Sequence, residues 1–417
     1  MDIEQKLVPN TNSARWGTLA VFFADGAAFG AWAAAIPVIK ANVNLTHEQL
    51  SLVLLCLILG SLVTMPLTGT GIARYGSRFT TVVGIILYLC ALTVVALPSE
   101  IWVLALCAAA FGGGKGALDV SINAHAVEVQ RHFQKPILAT FQALWSVGGL
   151  VGSLLCGFLL SQSMPVQAVL PTIVFMLALV GFFGWRVMLP ASVTLVPEPG
   201  AAAIATTEQP KRRPFRIPGP FLAKVCLLCF LTLFGEGVMA DWSSVFLHEE
   251  RGLTPATAAM GFAAYSIAMA LARFCGDAIH ARLGSIATLR YSGISAAFGM
   301  LLAIAVDNSI ASIIGFLFVG FGLANTVPIL FAAAARDPEM GAGPGTATAA
   351  MAGYIGFLAG PPGIGFLASV FGLPAAMATV ALFAAGFSAF AHFAVDPTPK
   401  PTSPTTLPLP PLSLQEK

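Results

Sequence analysis

The five-residue stretch Ala73-Arg74-Tyr75-Gly76-Ser77 follows two long apolar runs, and it recurs with one substitution as Ala281-Arg282-Leu283-Gly284-Ser285. The two copies lie 208 residues apart. The same offset relates other pairs of segments: Leu45-Thr46 with Leu253-Thr254, Ala139-Thr140 with Ala347-Thr348, and Gly157-Phe158-Leu159 with Gly365-Phe366-Leu367. An internal repeat of this kind predicts that the chain consists of two copies of one structural unit.

Each copy carries an acidic residue in its first apolar run. Asp25 occupies this place in the first copy and Glu236 in the second, and a tryptophan follows each of them, Trp32 and Trp242. The offset between these pairs is 210 to 211 residues, which indicates a small insertion. A duplicated membrane unit with an acid inside each copy is typical of a secondary transporter.

The composition excludes a soluble protein. Hydrophobic residues make up 57% of the chain, charged residues only 10%, and the mean hydropathy is +0.84, whereas soluble domains carry about 25% charged residues. The net charge of +2 provides no basic face for a nucleic acid. Cys226 and Cys229 form a CxxC pair inside an apolar run without a nearby His or acid. We therefore expect no metal and no cofactor.

Twelve apolar runs are long enough to cross a bilayer, which takes about 20 residues. They are 16–38, 48–72, 79–97, 101–130, 137–162, 165–189, 220–247, 256–281, 285–306, 308–335, 345–371 and 373–396. The sequence therefore predicts an all-α integral membrane protein with twelve transmembrane helices. Two six-helix bundles, 1–189 and 220–396, would be related by a pseudo-two-fold axis along the membrane normal. A cytoplasmic linker, 190–219, would join them, and a disordered cytoplasmic tail, 397–417, would follow.

The basic residues predict the orientation. If the N-terminus is cytoplasmic, 17 of the 21 Lys and Arg residues fall on the cytoplasmic side of the spans. Lys40 and Arg251 fall on the opposite side, and Lys115 and Arg273 lie inside spans. Because cytoplasmic loops carry an excess of Lys and Arg, both termini are expected in the cytoplasm and the chain in the inner (plasma) membrane.

The loop Gly69–Arg78 resembles a motif of the major facilitator superfamily, G-x-x-x-D-R-x-G-R-R, through Gly69, Arg74, Gly76 and Arg78. Ala73 replaces the acid of the motif and Ser77 the first residue of its basic pair. The resemblance extends over essentially the whole chain and implies cytoplasmic gating loops in both halves. Their candidate residues are Arg74, Gly76, Arg78, Asp277, Arg282 and Gly284.

The fourth span also resembles a narrower group. It carries Asp119 and Asn123 four residues apart, and an acid is present in the first span. This pattern is similar to fucose-transporter-like proton symporters and to the YbjJ-like branch, and Gln142 resembles a substrate-contacting position of that group. The resemblance implies proton-coupled symport of a small polar solute, such as a sugar.

Residue spacing alone supports part of this site. Asp119 and Asn123 share one helix face, and Lys115 precedes Asp119 by one turn, so that Lys115 and Asp119 can pair. An acid at midspan such as Asp25 is expected to face the bundle interior, and Gly26 and Gly30 permit close helix packing beside it. Both acids would bind solute or protons. The alternatives are a neutral hydrogen-bonded acid at Asp25 and a structural ion pair at Asp119.

The remaining candidates are polar or aromatic groups inside spans. Trp145 would stack on a flat solute or serve only packing, and His125 would be a proton relay or a core residue. Arg273 and Asp277 are spaced for pairing, and Pro328, Pro361 and Pro362 predict interruptions of spans 10 and 11. The candidate solute- or proton-binding residues are Asp25, Asp119, Asn123, Gln142, Trp145, Glu236 and Asn325, with Lys115 and His125 as charge partners.

The sequence thus predicts a secondary active transporter that acts as a monomer on a small-molecule solute in the lipid bilayer, driven by protons. It contains no Walker A motif, so ATP is not expected to drive it. A proton-driven exporter of amphipathic compounds or drugs is the alternative within transport. A non-transporting membrane sensor is the alternative from another class. An intramembrane enzyme would need a nucleophile or a metal constellation, and we find neither motif in the chain.

Overall fold

The computed structural model describes residues 11–133, 137–190 and 218–394, and within these ranges every regular element is a helix. Twelve helical stretches are long and apolar enough to cross a membrane. The prediction of an all-α membrane protein with twelve spans is confirmed. The predicted tail lies outside the described residues, and so does the linker apart from 190 and 218–219.

The helices of the first half are α1 (Thr11–Val43), α2 (His47–Tyr75), α3 (Ser77–Val94), α4 (Ile101–Gln130), α5 (Leu138–Ser161) and α6 (Val166–Val187). Those of the second half are α7 (Pro220–Glu249), α8 (Pro255–Ala258), α9 (Met260–Ala305), α10 (Ser309–Leu323), α11 (Thr326–Ala334), α12 (Ala342–Phe371) and α13 (Leu373–Ala394). The eighth and ninth spans share α8 and α9, and the tenth comprises α10 and α11.

The repeated motif forms the same sharp turn in both halves. Gly76 lies between α2 and α3 with φ 81° and ψ 162°, and Gly284 bends α9 with φ 73° and ψ 169°. Side chains are strained in this left-handed region, whereas glycine adopts it at little cost. The stretch that reveals the repeat therefore also fixes where one span ends and the next begins.

The repeated Leu-Thr pair marks helix starts. The hydroxyl of Thr46 accepts a hydrogen bond from the backbone of Gln49 (3.2 Å), and Thr254 accepts one from Thr257 (3.3 Å). These caps satisfy backbone donors that the first helical turn leaves without a partner. The offset of 208 residues thus relates equal structural positions in the two halves.

Glycines let α1 and α5 approach each other closely. A Cβ atom on Gly26 would overlap the backbone carbonyl of Trp145, and one on Gly30 would overlap that of Gly149. Small residues permit this contact, as the sequence predicted. The second half uses the same device, since Gly356 of α12 lies against the backbone of α7.

The prolines interrupt the tenth span, as predicted, but not the eleventh. The tenth span does break at Ala324 and Asn325, because Pro328 has no N–H to donate one turn back. The predicted interruption of the eleventh span is wrong, since α12 continues through Pro361 and Pro362. Proline already has a helical φ, and neighbouring helices can support a span around it. Here the indole N–H of Trp242 in α7 donates to the carbonyl of Pro361 (2.9 Å).

Candidate functional site

A lysine held by two carboxylates lies between α1 and α4 of the first half. Lys115 Nζ of α4 donates to Asp25 Oδ2 of α1 (3.2 Å) and to Asp119 Oδ1, one turn further along α4. The side chain of Asp25 is 1% exposed, that of Lys115 12% and that of Asp119 20%. The sequence predicted the pair within α4 and the inward orientation of Asp25. It did not predict that one lysine joins both acids.

The charge of this triad sets what it can do. When all three groups are ionised, two carboxylates surround one ammonium and the net charge is negative. Burial favours the neutral form of an acid, while a neighbouring cation favours its ionised form. One added proton would leave a neutral cluster, so the triad is chemically suited to exchange a single proton.

Aromatic rings form one wall of the triad. Lys115 Nζ lies 5.6 Å from the ring centroid of Trp145 and 5.9 Å from that of Phe29. The rings of Phe29 and Trp145 are 5.8 Å apart, and Phe262 of the second half packs edge-on to Phe29 at 6.1 Å. Trp145 therefore lies at the predicted site. Its ring adds cation–π attraction to the ammonium.

Amide groups extend the site along α4 and α5. Asn123 Nδ2 donates to the backbone carbonyl of Asp119 (2.8 Å), and Gln142 Nε2 donates to Asn123 Oδ1 (3.2 Å). The structure thus brings together Asp119, Asn123 and Gln142 as a connected polar group. Their amide and carboxylate atoms can exchange hydrogen bonds with the hydroxyls of a solute.

A tyrosine of the second half reaches the same group and was not among the residues predicted from the sequence. The hydroxyl of Tyr354 in α12 donates to Asp119 Oδ2 at 3.5 Å. A tyrosine in an Ala- and Gly-rich span (Ala352-Gly353-Tyr354-Ile355-Gly356) was the available signal. Asp119 is consequently shared between a lysine of its own helix and a hydroxyl from the other half.

The acid of the second copy faces a different cation. Glu236 Oε2 of α7 lies 3.9 Å from Arg273 Nη2 of α9, while Glu236 Oε1 is buried without a partner. Arg273 Nη1 also donates to the hydroxyl of Ser146 in α5 (2.7 Å). Arg273 therefore connects the two halves. Its predicted pairing with Asp277 stays a prediction, because that side chain lies outside the described residues.

Two other candidates engage neighbours away from the triad. Asn325 Nδ2, at the break between α10 and α11, donates to the carbonyl of Ala272 in α9 (2.8 Å). His125 is fully buried, and its Nδ1 shares a hydrogen bond with the hydroxyl of Ser77 (2.8 Å), which itself donates to Glu128 (3.0 Å). Roles for Asn325 in solute binding and for His125 as a charge partner stay predictions.

The arginines of the candidate gating loops contact aromatic rings and backbone rather than carboxylates. Arg78 donates to the carbonyl of Trp185 (3.0 Å) and covers its ring at 5.5 Å, and Arg74 covers the ring of Tyr75 at 5.2 Å. Arg282 is exposed. Among the described residues, no carboxylate lies within 4.0 Å of these three side chains.

Polar contacts also join the halves at one end of the helices, which we call the Glu249 end. Glu249, the last residue of α7, pairs with Lys40 of α1, and its Oε2 accepts from His47 Nε2 of α2 at 2.7 Å. Deeper along α7, Asp241 Oδ1 accepts from the indole N–H of Trp32 (3.2 Å). The two halves are therefore closed against each other at this end.

Twelve spans with a repeated motif, and buried charges at the junction of two similar halves, define a membrane transport protein. The family model of the Major Facilitator Superfamily matches residues 17–352. The chain belongs to this superfamily, and it is a multi-pass membrane transporter rather than an enzyme.

Relatives and solved structures agree with this assignment. An uncharacterised MFS-type transporter of Yersinia pestis is 36% identical over 382 residues, which is 91% of this chain and 95% of that protein. The crystal structure of the nucleoside transporter NupG superposes with a TM-score of 0.66 at 10% identity, covering 91% of this chain and 98% of NupG. The crystal structure of the human organic anion transporter MFSD10 superposes with a TM-score of 0.63 at 17% identity, covering 92% of this chain and 100% of MFSD10. The two structures share the fold.

Proposed function

We propose that the protein is a proton-coupled symporter of a small, neutral, polar solute, with a sugar or another polyhydroxylated compound as the preferred class. The observation that carries the proposal is the position of Lys115 between Asp25 and Asp119. A buried cluster with one carboxylate in excess is costly until it gains a proton, and a neutral solute that displaces water from the site raises that cost. Binding of a proton and binding of a solute would therefore favour each other.

The solute would meet hydrogen-bonding groups on one side and an aromatic wall on the other. Asn123 is exposed at the polar side, next to Asp119 and Gln142. A sugar could replace the hydrogen bond between Asn123 and Gln142 with bonds to its own hydroxyls, while Trp145 stacks on its apolar face. This arrangement supports the resemblance to the fucose-transporter-like and YbjJ-like branch.

The transport cycle would proceed by alternating access. We propose two bundles, 1–189 and 220–396, joined by a cytoplasmic linker, 190–219, and followed by a cytoplasmic tail, 397–417. The bundles would rock about the central site in a monomer of the inner membrane, with both termini in the cytoplasm. The Glu249 end would then be the outer end, and the ion pairs there would close it.

A proton-driven exporter of amphipathic compounds is the second candidate. The rings of Phe29, Trp145 and Phe262 favour it, because they offer an apolar surface next to an acid. The buried Lys115 and the amides of Asn123 and Gln142 favour the polar solute instead, since an apolar compound would leave these groups without partners.

Proteoliposomes distinguish the candidates. A thermal-shift screen against sugars, nucleosides, organic acids and cationic drugs first identifies a ligand. Adding that ligand to lightly buffered proteoliposomes should then draw protons inward together with the solute. Outward proton movement coupled to entry of a drug would favour the exporter, which exchanges protons for drug, and solute movement without protons would contradict both.

A further inference from the structure

Another buried acid lies at the junction of the halves, apart from the triad. Asp241 of α7 is 7% exposed, and its Oδ1 accepts a hydrogen bond from Trp32 Nε1 of α1. It lies one to two turns beyond Glu236 in the direction of Glu249. None of the ion pairs in the described part of the chain includes Asp241.

The helices around Asp241 supply few charges. Neither α8 nor α10 contains an acidic or basic residue, α12 contains only the tyrosine Tyr354 as a titratable group, and α13 contains only His392, at its far end. Several charged groups on the other neighbours are engaged elsewhere. Lys40 and His47 bind Glu249, and Glu236 faces Arg273.

The hydrogen-bond partner of Asp241 and the residue that follows it are themselves buried. Trp32 is 1% exposed and packs on Phe111 at 5.2 Å, and Trp242 is fully buried. An ionised carboxylate with one neutral donor and no cation would cost several kcal/mol in such surroundings. The closed Glu249 end is therefore compatible with a neutral carboxylic acid at Asp241.

We propose that Asp241 is a second proton-binding site, which must take up a proton from the water at the Glu249 end before that end can close. When the end is open, Trp32 and α7 separate and water can solvate a carboxylate. Closure removes this water, so a proton adds to one carboxylate oxygen and the other oxygen accepts from Trp32. The inference rests on the proposed alternating-access symport and adds a protonation step to its closure.

The test measures closure directly, in the full-length protein in nanodiscs and without solute. Hydrogen–deuterium exchange of peptides covering 36–52 and 242–255, corrected for the intrinsic pH dependence of exchange, reports opening of the Glu249 end. With one linked proton, opening of the wild type should rise with pH by up to about tenfold per pH unit. Asp241→Asn keeps the acceptor for Trp32 but cannot ionise, so its corrected exchange should not change with pH.

Two control variants exclude other groups at the same end. His47→Gln removes the imidazole that faces Glu249, and it should weaken closure yet keep the pH response. Glu48→Gln removes an exposed acid at the start of α2 and should behave as wild type. Size-exclusion profiles and thermal stability identify any variant that fails to fold.

The outcomes are distinct. A pH response lost in Asp241→Asn and kept in both controls supports the inference. An unchanged response in Asp241→Asn, a response lost in His47→Gln, or a wild type without any response overturns it. This experiment contains no solute, so it tests closure and not symport. Absence of solute-driven proton movement in the proteoliposome experiment would count against the symport proposal alone.

Discussion

Replacing Lys115 with Met removes the only cation that contacts Asp25 and Asp119 among the described residues. Breaking a buried ion pair by removal of one partner costs about 3–5 kcal/mol. Most of this cost should fall on Asp25, whose side chain is 1% exposed, whereas Asp119 is 20% exposed and keeps Tyr354 as a donor. At about 2 °C per kcal/mol, Lys115→Met should lower the Tm by roughly 6–10 °C.

A second substitution, added to Lys115→Met, shows which of the two acids accounts for the loss of stability. Lys115→Met/Asp25→Asn should recover more thermal stability than Lys115→Met/Asp119→Asn, because it neutralises the more deeply buried carboxylate. Differential scanning fluorimetry and fluorescence-detected size exclusion in detergent measure the series. Arg282→Met, which removes an exposed cation, should change the Tm little. Wild-type stability of Lys115→Met, or a better recovery through Asp119→Asn, would refute the reasoning.

Three further predictions test packing, gating and topology. Gly26→Ala should reduce the yield of folded protein, because the added Cβ would overlap the backbone of α5. Gly386→Ala is the control and should be neutral, because a Cβ added there has open space within 4 Å. Size exclusion compares the two yields. Arg74→Ala and Arg282→Ala should lower the transport rate more than ligand affinity, and loss of binding in a folded variant would show that these loops contact the solute. Reporter fusions within 190–219 should give a cytoplasmic signal, and a periplasmic one would reverse the proposed orientation.

Local patterns predicted the features that depend on neighbouring residues along the chain. Span length follows from hydropathy, the turns at Gly76 and Gly284 from the repeated motif, and the contact of Lys115 with Asp119 from helical spacing. Each of these features is determined within about one helical turn or one apolar run. The sequence therefore contained enough information to predict them.

Contacts between distant helices could not be predicted in the same way. In a membrane, the face turned toward lipid is as apolar as the face turned toward another helix, so hydropathy does not reveal which helices meet. The contact of Lys115 with Asp25, the hydroxyl of Tyr354 at Asp119, and the bond from Trp32 to Asp241 all depend on this packing.

Proton-coupled accumulation in Asp25→Asn proteoliposomes tests the central claim most directly. The amide resembles the protonated acid but cannot release a proton. We expect the variant to bind solute and to exchange internal for external solute, yet to fail to concentrate solute under an inward proton gradient that drives accumulation in wild type. Accumulation by Asp25→Asn at the wild-type level, or accumulation by wild type without proton uptake, would contradict the account.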